Sequence, residues 1–336
     1  MPGNWTPVSV KDSPSTRVVD SQAIAAEVAP SALPSVEMFE LESPRRSLDD
    51  LIVSQATRLQ IEMLISKIKH QHTLYEVWDL KRVDPYGGRT AINLYGPPGT
   101  GKSFCAEAIA RTLGKPILRV NYAELESKYV GETPKNIRAA FAKARESDSV
   151  LFFDEADSIL GKRLTNVTQS ADHGVNVSRS MMLLELDRFS GVVIFATNLA
   201  KNYDGAFVRR IVGHVEMPLP DRGCRERLWD LHLPDRLPKD PGVNAEQLAD
   251  MTEGFSGGDI LNCVIQAASV AVQRTSEAQL VRMDDLTTAI EAVNKAKVEI
   301  GDGNRSLKVM ESTIPIEEAP EEVQAKVRAM QEPLDD

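Results

Sequence analysis

The sequence contains few cysteines and no long apolar run. Its three cysteines, Cys105, Cys224 and Cys263, are odd in number and widely spaced, which excludes a disulfide framework and the paired spacing of a metal site. We predict that they are reduced and mostly buried. The longest apolar runs, such as 192–196, have the length of a strand, and the N-terminus lacks a basic region followed by an apolar one. We therefore expect a cytoplasmic protein with no membrane partner.

An excess of positive charge is also absent. The formal net charge is −10, and a broad nucleic-acid surface needs clustered Lys and Arg. Nucleic acid is therefore the weaker partner prediction, although a local basic channel stays open. The sequence has no His-Glu-x-x-His motif, which excludes a zinc protease of that type within the chain. His70 and His72 have no carboxylate or cysteine at ligand spacing, so we expect no metal there.

The chain does have an ordinary globular composition. Hydrophobic residues make up 42% and charged residues 26%, so neither wholesale disorder nor a fibrous chain is indicated. A chain of 336 residues is long enough for one large domain and a smaller companion.

The pattern of residues changes along the chain. Residues 1–45 are predicted to form a flexible arm, because six prolines are scattered among Ser, Thr and Ala without an apolar period. Residues 46–220 are predicted to form the large domain. Its first helix is predicted from apolar residues at roughly helical spacing: Leu48, Leu51, Ile52, Leu59, Met63, Leu64 and Ile68.

Short β-rich runs then alternate with helical segments. The runs lie at 91–95, 117–122, 150–153, 192–196 and 214–217. This alternation predicts an α/β fold with a central parallel β-sheet flanked by helices. Helical segments around 225–232, 245–251, 259–273 and 284–298 predict a small all-helical lid over residues 221–300. Trp78 and Trp229 are predicted to be packing residues.

The last part of the sequence is rich in acids. Residues 301–336 carry prolines and clustered acidic residues, and we predict an acidic flexible tail. A helix at 321–330 stays open as an alternative.

A glycine-rich motif, residues 96–103, separates a strand-like run from a helix-like one. Its glycines let backbone N–H groups wrap a phosphate, and the N-terminus of the following helix favours the same anion. Lys102 supplies a cation for the outer phosphates, and the hydroxyl of Ser103 suits Mg²⁺. The motif predicts a P-loop that binds ATP and Mg²⁺ through Pro98, Gly99, Thr100, Gly101, Lys102, Ser103 and Phe104.

Two acids follow the predicted strand 150–153. An isolated acidic cluster is usually a solvated strand end, but the P-loop upstream favours a functional role. Asp154 is predicted to face Mg²⁺ together with Ser103, and Glu155 to orient the attacking water.

From residue 48 to residue 298 the chain resembles AAA+ ATPases of the protein-remodelling clade. The resemblance implies a P-loop AAA+ domain followed by a helical lid. It implies that Asn198 is sensor 1, a contact of the attacking water or γ-phosphate, although Asn is also a common turn residue. Segment 204–211 resembles the arginine-finger segment, which implies that Arg209, Arg210 or both act on the nucleotide of a neighbouring subunit. The alternative is a surface pair bonded to acids of its own subunit.

One further segment resembles part of a nucleotide site. Segment 254–259 is similar to the glycine-rich start of the sensor 2 helix, which implies that Gly257 lies beside the nucleotide. Ser256 and Asp259 also have the spacing of a capping box. Adenine is expected to pack near Leu51 and Ile52. No arginine occupies the sensor 2 position, which favours the protein-remodelling branch.

One segment is similar to the family's aromatic pore loop. It contains Lys128, Tyr129 and Val130, and the resemblance implies that Tyr129 grips a substrate by apolar contact. A second, polar loop is predicted over residues 161–178. It contains His173, which is a candidate to line the same channel.

The resemblance implies an ATP-driven hexameric ring that threads or unfolds a protein client. Compact bacterial remodellers of HORMA-domain signalling proteins, including those of anti-phage defence, resemble this chain, so such a protein is a candidate client. Two other functions stay open at this point. One is a AAA+ ATPase that acts on nucleic acid as a loader or transposition regulator, and the other is a module that uses ATP only to set its assembly state.

Overall fold

The computed structural model describes residues 39–84, 89–121, 125, 132–161, 170–198, 203–275 and 279–301. Some predictions fall outside these residues. They concern the arm up to residue 38, the pore-loop residues Lys128, Tyr129 and Val130, and the tail from residue 302.

Six strands form one sheet at the centre of the fold. The strands are β1 Leu41–Glu42, β2 Ala91–Tyr95, β3 Ile117–Asn121, β4 Val150–Asp154, β5 Val193–Thr197 and β6 Gly213–Glu216. Their order across the sheet is β1-β3-β4-β5-β2-β6. Neighbouring strands from β2 to β6 pair in parallel, which confirms the predicted parallel sheet.

Strand β1 at the edge of the sheet was not predicted. It pairs antiparallel with β3, with Leu41 opposite Leu118, and Phe39 just before it is buried in the core. The flexible arm predicted over residues 1–45 is therefore wrong for residues 39–42. A two-residue strand has no periodicity of its own, and it forms here because the edge of β3 offers unpaired backbone groups.

Helices cover both faces of the sheet. One face packs against α3 Glu132–Glu146 and α5 Ser170–Arg188, and the other against α1 Gln55–Lys69 and α2 Lys102–Thr112. The central strands β2, β4 and β5 are buried on both faces for this reason. Adjacent residues Phe152 and Phe153 of β4 are both fully buried, on opposite faces, and Phe153 stacks on Phe195 with ring centroids 5.4 Å apart.

Helix α1 packs through part of the face predicted for it, since Leu64 and Ile68 contact the core as predicted. The hydroxyl of Ser54 caps the helix by accepting from the backbone N–H of Thr57 at 3.2 Å. Ile61 and Ile65 face the core, whereas Leu59 and Met63 are exposed. Leu59 and Met63 were assigned to the packing face, and that prediction is wrong. They precede the buried pair by two residues, which is about 200° around a helix of 3.6 residues per turn.

Helix α5 covers part of a segment that was predicted to be a loop. A polar loop was predicted up to residue 178, but the chain is helical from Ser170. Residues later in this helix, such as Met182 and Leu186, are buried in the core. This tertiary packing stabilises a helix whose first turns carry polar residues.

The C-terminal part is helical, as predicted. Its helices are α7 Arg222–His232, α8 Ala245–Met251, α9 Gly257–Ala271 and α10 Met283–Gly301; the shorter α4 Asp157–Leu160 and α6 Gly205–Val208 precede them. The chain divides into two compact units, residues 1–234 with 245–261, and residues 235–244 with 262–336. The boundaries expected at residues 220 and 300 stay predictions.

Each unit has polar contacts that hold its helices. In the first unit, the side chain of Arg225 donates to the carbonyl of Ala249 at 3.0 Å. In the second, Arg274 and Asp285 form an ion pair, and the backbone N–H of Asp240 donates to the carbonyl of Val281 at 2.9 Å.

The tryptophans behave differently from each other. Trp229 is fully buried and donates to Thr252 at 3.1 Å, which confirms its packing role. Trp78 is 67% exposed, so the same prediction is wrong for that residue. It follows the π-helical turn Thr73–Val77.

All three cysteines are free and buried, as predicted. Burial raises the pKa of the Cys105 thiol to about 12 and that of Cys224 to about 11. Among the described residues, the structure contains no helix with the length and apolar character needed to cross a bilayer.

Candidate functional site

The glycine-rich motif forms a tight loop between β2 and α2. Gly96, Gly99 and Gly101 have φ values of 146°, 75° and 92°, a region that other residues rarely adopt. A Cβ on Gly96 would lie 2.2 Å from the carbonyl oxygen of Met217. The loop therefore requires glycine for its backbone conformation and for its close approach to the strand end. Helix α2 begins at Lys102 without a side-chain cap, so its N-terminus favours an anion.

Lys102 is nearly buried inside the loop. Its Nζ donates to the carbonyls of Gly96 and Pro97, each at 2.8 Å. Burial lowers the pKa of Lys102, while the charges of Asp154 and Asp157 oppose this shift. The ammonium group is thus placed where an anion would meet it.

Two oxygen ligands lie side by side at the end of β4. Ser103 Oγ donates to Asp154 Oδ2 at 2.9 Å, and the backbone N–H of Glu155 donates to Asp154 Oδ1 at 3.0 Å. A hydroxyl and a carboxylate at this separation match the oxygen ligands that Mg²⁺ prefers.

Glu155 has an unusual backbone conformation. Its φ is 53°, in the left-handed region, which costs a non-glycine residue about 1–2 kcal/mol. Such strain is often found at functional residues, since the surrounding structure must hold it in place. Asn198 follows β5, and the two side chains line the same cavity.

This phosphate cavity has a volume of about 780 Å³. It brings together the predicted Pro98, Gly99, Gly101, Lys102, Ser103, Phe104, Asp154, Glu155 and Asn198. Four further lining residues were not predicted: Glu40, Glu42, Arg119 and Asn121.

Arg119 is the centre of a charged cluster that sequence reasoning missed. Its guanidinium lies 3.5 Å from Glu42 Oε1, 3.8 Å from Asp154 Oδ2 and 4.0 Å from Glu107 Oε2. The Arg119 guanidinium also lies over the ring of Phe152, 5.2 Å from its centroid. The sequence signal for this cluster was a charged residue, Arg119, within the apolar run 117–122. Its partner Glu42 lies on strand β1, which was not predicted.

A second cavity, of about 300 Å³, adjoins the P-loop within the first unit. It is lined by Gly99, Thr100, Gly101 and Phe104, by the predicted Leu51, Ile52 and Gly257, and by apolar residues that include Val53, Leu228 and Leu261. An apolar slot beside a phosphate site suits a flat aromatic base.

The start of α9 packs directly on the P-loop. Ser256 Oγ accepts from the N–H of Asp259 at 3.2 Å, and Asp259 accepts from the N–H of Ser256 at 2.8 Å. This confirms the capping box. The N–H of Gly258 donates to the carbonyl of Gly99 at 3.2 Å. Small residues are needed here because a Cβ on Gly99 would lie 2.5 Å from Ser256 Oγ.

The two candidate finger arginines have different surroundings. Arg210 donates to both carboxylate oxygens of Asp187, at 3.0 and 2.8 Å, and this pairing lowers the pKa of Asp187. The Nε of Arg209 donates to the carbonyl of Gly205 at 3.2 Å, and no carboxylate among the described residues pairs with it. Neither arginine lines the phosphate cavity of its own chain.

The structure does not describe the side chains of the predicted channel residues. Lys128, Tyr129 and Val130 lie outside the described residues, and His173 falls in α5 at a position whose side chain is not described. Their roles stay predictions. Among the described residues, no group of three His, Cys, Asp or Glu side chains has the arrangement of a metal site.

Two family profiles match the chain. The ATPase family associated with various cellular activities (AAA) matches residues 92–219, and the AAA+ lid domain matches residues 242–288. These ranges contain the P-loop, the acids at the end of β4, helices α8 and α9 and the start of α10.

Curated relatives extend the similarity over more of the chain. The proteasome-activating nucleotidase of Aeropyrum pernix is 34% identical over 289 residues, which are 83% of this chain and 68% of that protein. The corresponding protein of Methanopyrus kandleri is 34% identical over 274 residues, 79% of this chain and 60% of the relative. The 26S proteasome subunit RPT4 of Saccharomyces cerevisiae is 34% identical over 213 residues, which are 61% of this chain and 48% of that subunit. The chain spans between about half and about two thirds of the length of these relatives.

Proposed function

The chain belongs to the AAA family of ATPases, and we propose that it is a motor that couples ATP hydrolysis to the unfolding of protein substrates. As a member of this family it binds and hydrolyses ATP. One observation carries the site assignment: Ser103, Asp154, Glu155 and Asn198 meet in one cavity beneath the P-loop.

In this proposal the P-loop binds the phosphates of ATP. Backbone N–H groups of the loop and the N-terminus of α2 surround the anion. Lys102 exchanges its two carbonyl partners for phosphate oxygens, a short movement for a flexible ammonium. The base occupies the apolar cavity that contains Leu51, Ile52 and Gly257.

Ser103 and Asp154 are the proposed Mg²⁺ ligands. Bound Mg²⁺ would neutralise charge on the phosphates. Glu155 accepts a proton from the attacking water, and the amide of Asn198 orients that water or the γ-phosphate. The left-handed backbone conformation of Glu155 occurs directly after β4, at the residue next to Asp154.

The arginines are proposed to act on a neighbouring copy of the chain. Arg210 is already paired with Asp187, so its role is to hold the segment in place. Arg209 has no carboxylate partner among the described residues, and it is the guanidinium we assign to the neighbour's phosphate. This arrangement completes each site only when copies assemble, and we propose a hexameric ring.

The substrate proposal rests on similarity and on the pore-loop residues. Relatives are named for activating the proteasome, and the acidic net charge of −10 disfavours a nucleic-acid track. We propose that Tyr129, with Lys128, Val130 and His173, grips a protein client in the ring. A HORMA-domain signalling protein in bacterial anti-phage defence is the specific client class we put forward. Cytoplasmic residence stays a prediction.

The test compares wild type with Tyr129→Ala. We expect the wild-type protein to have the mass of a hexamer when ATP is present. We also expect it to unfold a fluorescent reporter protein that carries an unstructured tail, in an ATP-dependent reaction. Tyr129→Ala should keep ATP turnover within about threefold, because Tyr129 is not among the residues proposed to bind or hydrolyse ATP, yet lose unfolding. A purified HORMA-domain protein is the second substrate, and single-stranded DNA is the control. Stimulation by DNA alone, or unfolding by Tyr129→Ala at the wild-type rate, would contradict the proposal.

A further inference from the structure

A polar network that includes the buried residues Thr197 and Asn93 adjoins Asn198, the candidate sensor. Asp157, the first residue of α4, accepts a hydrogen bond from the hydroxyl of Thr197. The same oxygen, Asp157 Oδ1, accepts from the backbone N–H of Asn198 at 3.0 Å. Thr197 is almost completely buried at the end of β5. One carboxylate thus fixes two successive residues at the strand end that carries the sensor.

The network continues to Tyr203. The hydroxyl of Tyr203 is hydrogen-bonded to the side chain of Thr197 and accepts from Asn93 Nδ2 at 3.2 Å. Asn93 is fully buried in the middle of β2, and its Oδ1 has no partner within the described part of the chain. Burial, reinforced by the charge of Asp157, raises the pKa of Tyr203. A buried amide with an unpaired oxygen is costly to stability, so packing alone does not account for it.

Tyr203 leads into the segment that carries the arginines. It forms an isolated antiparallel bridge with Gly161, and the N–H of Asp204 donates to the carbonyl of Leu160 at 2.9 Å. Asp204 then caps α6 by accepting from the N–H of Ala206 at 2.8 Å. Arg209 is the C-cap residue of α6. The residue after Tyr203 therefore fixes the start of a single helical turn whose end presents the arginine.

We propose that Asp157 and Tyr203 are positioning residues that couple Asn198 to the segment bearing Arg209. This inference rests on the proposed function. A change in the nucleotide site shifts Asn198. The hydrogen bond from its backbone N–H transmits this shift to Asp157, which is also bonded to Thr197. Tyr203 passes that displacement to α6, so the nucleotide state of one subunit changes how firmly Arg209 is offered to the next.

The test uses Tyr203→Phe, which keeps the ring and removes only the hydroxyl. Rings are assembled from mixtures of active subunits and Glu155→Gln subunits, and ATP turnover is measured against the mixing ratio. With wild-type subunits, we expect turnover to fall more steeply than the fraction of active subunits. With Tyr203→Phe subunits, we expect a proportional fall, while KM for ATP stays within about twofold. Thr197→Val, which removes the next hydroxyl in the network, should give the same proportional response.

Tyr75→Phe is the matched control. The hydroxyl of Tyr75 bonds to Asp84 at 3.2 Å, in a part of the first unit that the network does not include. This variant should retain the steep response. The inference would be overturned if turnover in Tyr203→Phe mixtures still fell more steeply than the fraction of active subunits. It would also be overturned if the substitution changed only the melting temperature and the KM for ATP. Failure of the wild type to form rings or hydrolyse ATP would contradict the proposed function itself, and the wild-type arm alone reveals it.

Discussion

At the scale of the residue, the site depends on a few positions where only one type of residue fits. Gly96 combines a positive φ with a close backbone approach, because a Cβ at this position would lie 2.2 Å from the carbonyl oxygen of Met217. Gly258 also touches the loop, but a Cβ there would lie 3.5 Å from Gly99, an ordinary contact.

These two glycines should respond differently to alanine. We expect Gly96→Ala to lower the free energy of unfolding by about 3 kcal/mol, because both steric overlap and backbone strain oppose it. Gly258→Ala should change it by less than about 0.5 kcal/mol. Urea unfolding of both variants measures the difference, and equal stability of the two would show that the loop geometry is wrong.

A second prediction concerns the ion pair in the second unit. The guanidinium of Arg274 lowers the pKa of Asp285, a buried carboxyl. A lowered folded-state pKa means that the stabilisation is present above the unfolded pKa of about 3.9 and is lost as pH falls further. The melting temperature of Asp285→Asn should therefore be lower than that of the wild type at pH 7. This difference in melting temperature should become smaller below about pH 4. The exposed neighbour variant Asp284→Asn is the control, and a gap independent of pH would exclude this role for Asp285.

At the scale of the element, the sequence predicted what local patterns encode. Strands β2, β4 and β5 appeared as short apolar runs because they are buried on both faces, whereas the edge strand β6 ends in an exposed residue, Glu216. The P-loop, the acids after β4 and the capping box were readable from spacing. What failed depends on tertiary contacts: β1 needs the open edge of β3, the buried face of α1 is chosen by the sheet, and α5 extends because its later turns are buried. Arg119 was missed since its partner Glu42 lies on β1.

Strand β1 can be tested as an element. Phe39 is buried against the core while Leu41 is largely exposed. If residues 39–42 are docked, Phe39→Ala should cost about 3 kcal/mol of unfolding free energy, the usual range for a buried aromatic residue. Leu41→Ala should cost less than about 0.5 kcal/mol. Chemical denaturation measures both, and an unchanged Phe39→Ala protein would restore the flexible arm up to residue 45.

At the scale of the whole molecule, the central claim is that a single chain holds an incomplete site. The P-loop, Ser103, Asp154, Glu155 and Asn198 meet in one cavity, but neither arginine lines it. Resemblance to a family predicted this division of labour, whereas composition and periodicity gave only the fold class. The identity of the proposed client depends on surfaces that no local pattern encodes.

The most direct measurement is a complementation assay with two inactive variants. Glu155→Gln lacks the carboxylate proposed to be catalytic but keeps Arg209, and Arg209→Ala has the reverse defect. Each alone should lose about 100-fold or more in ATP turnover. Mixed before ring assembly, they should regain a measurable fraction of wild-type turnover, because an intact site meets an intact arginine across the interface. Mixtures that stay as inactive as the separate variants, or an Arg209→Ala protein with wild-type turnover, would contradict the claim that a neighbouring copy completes the site.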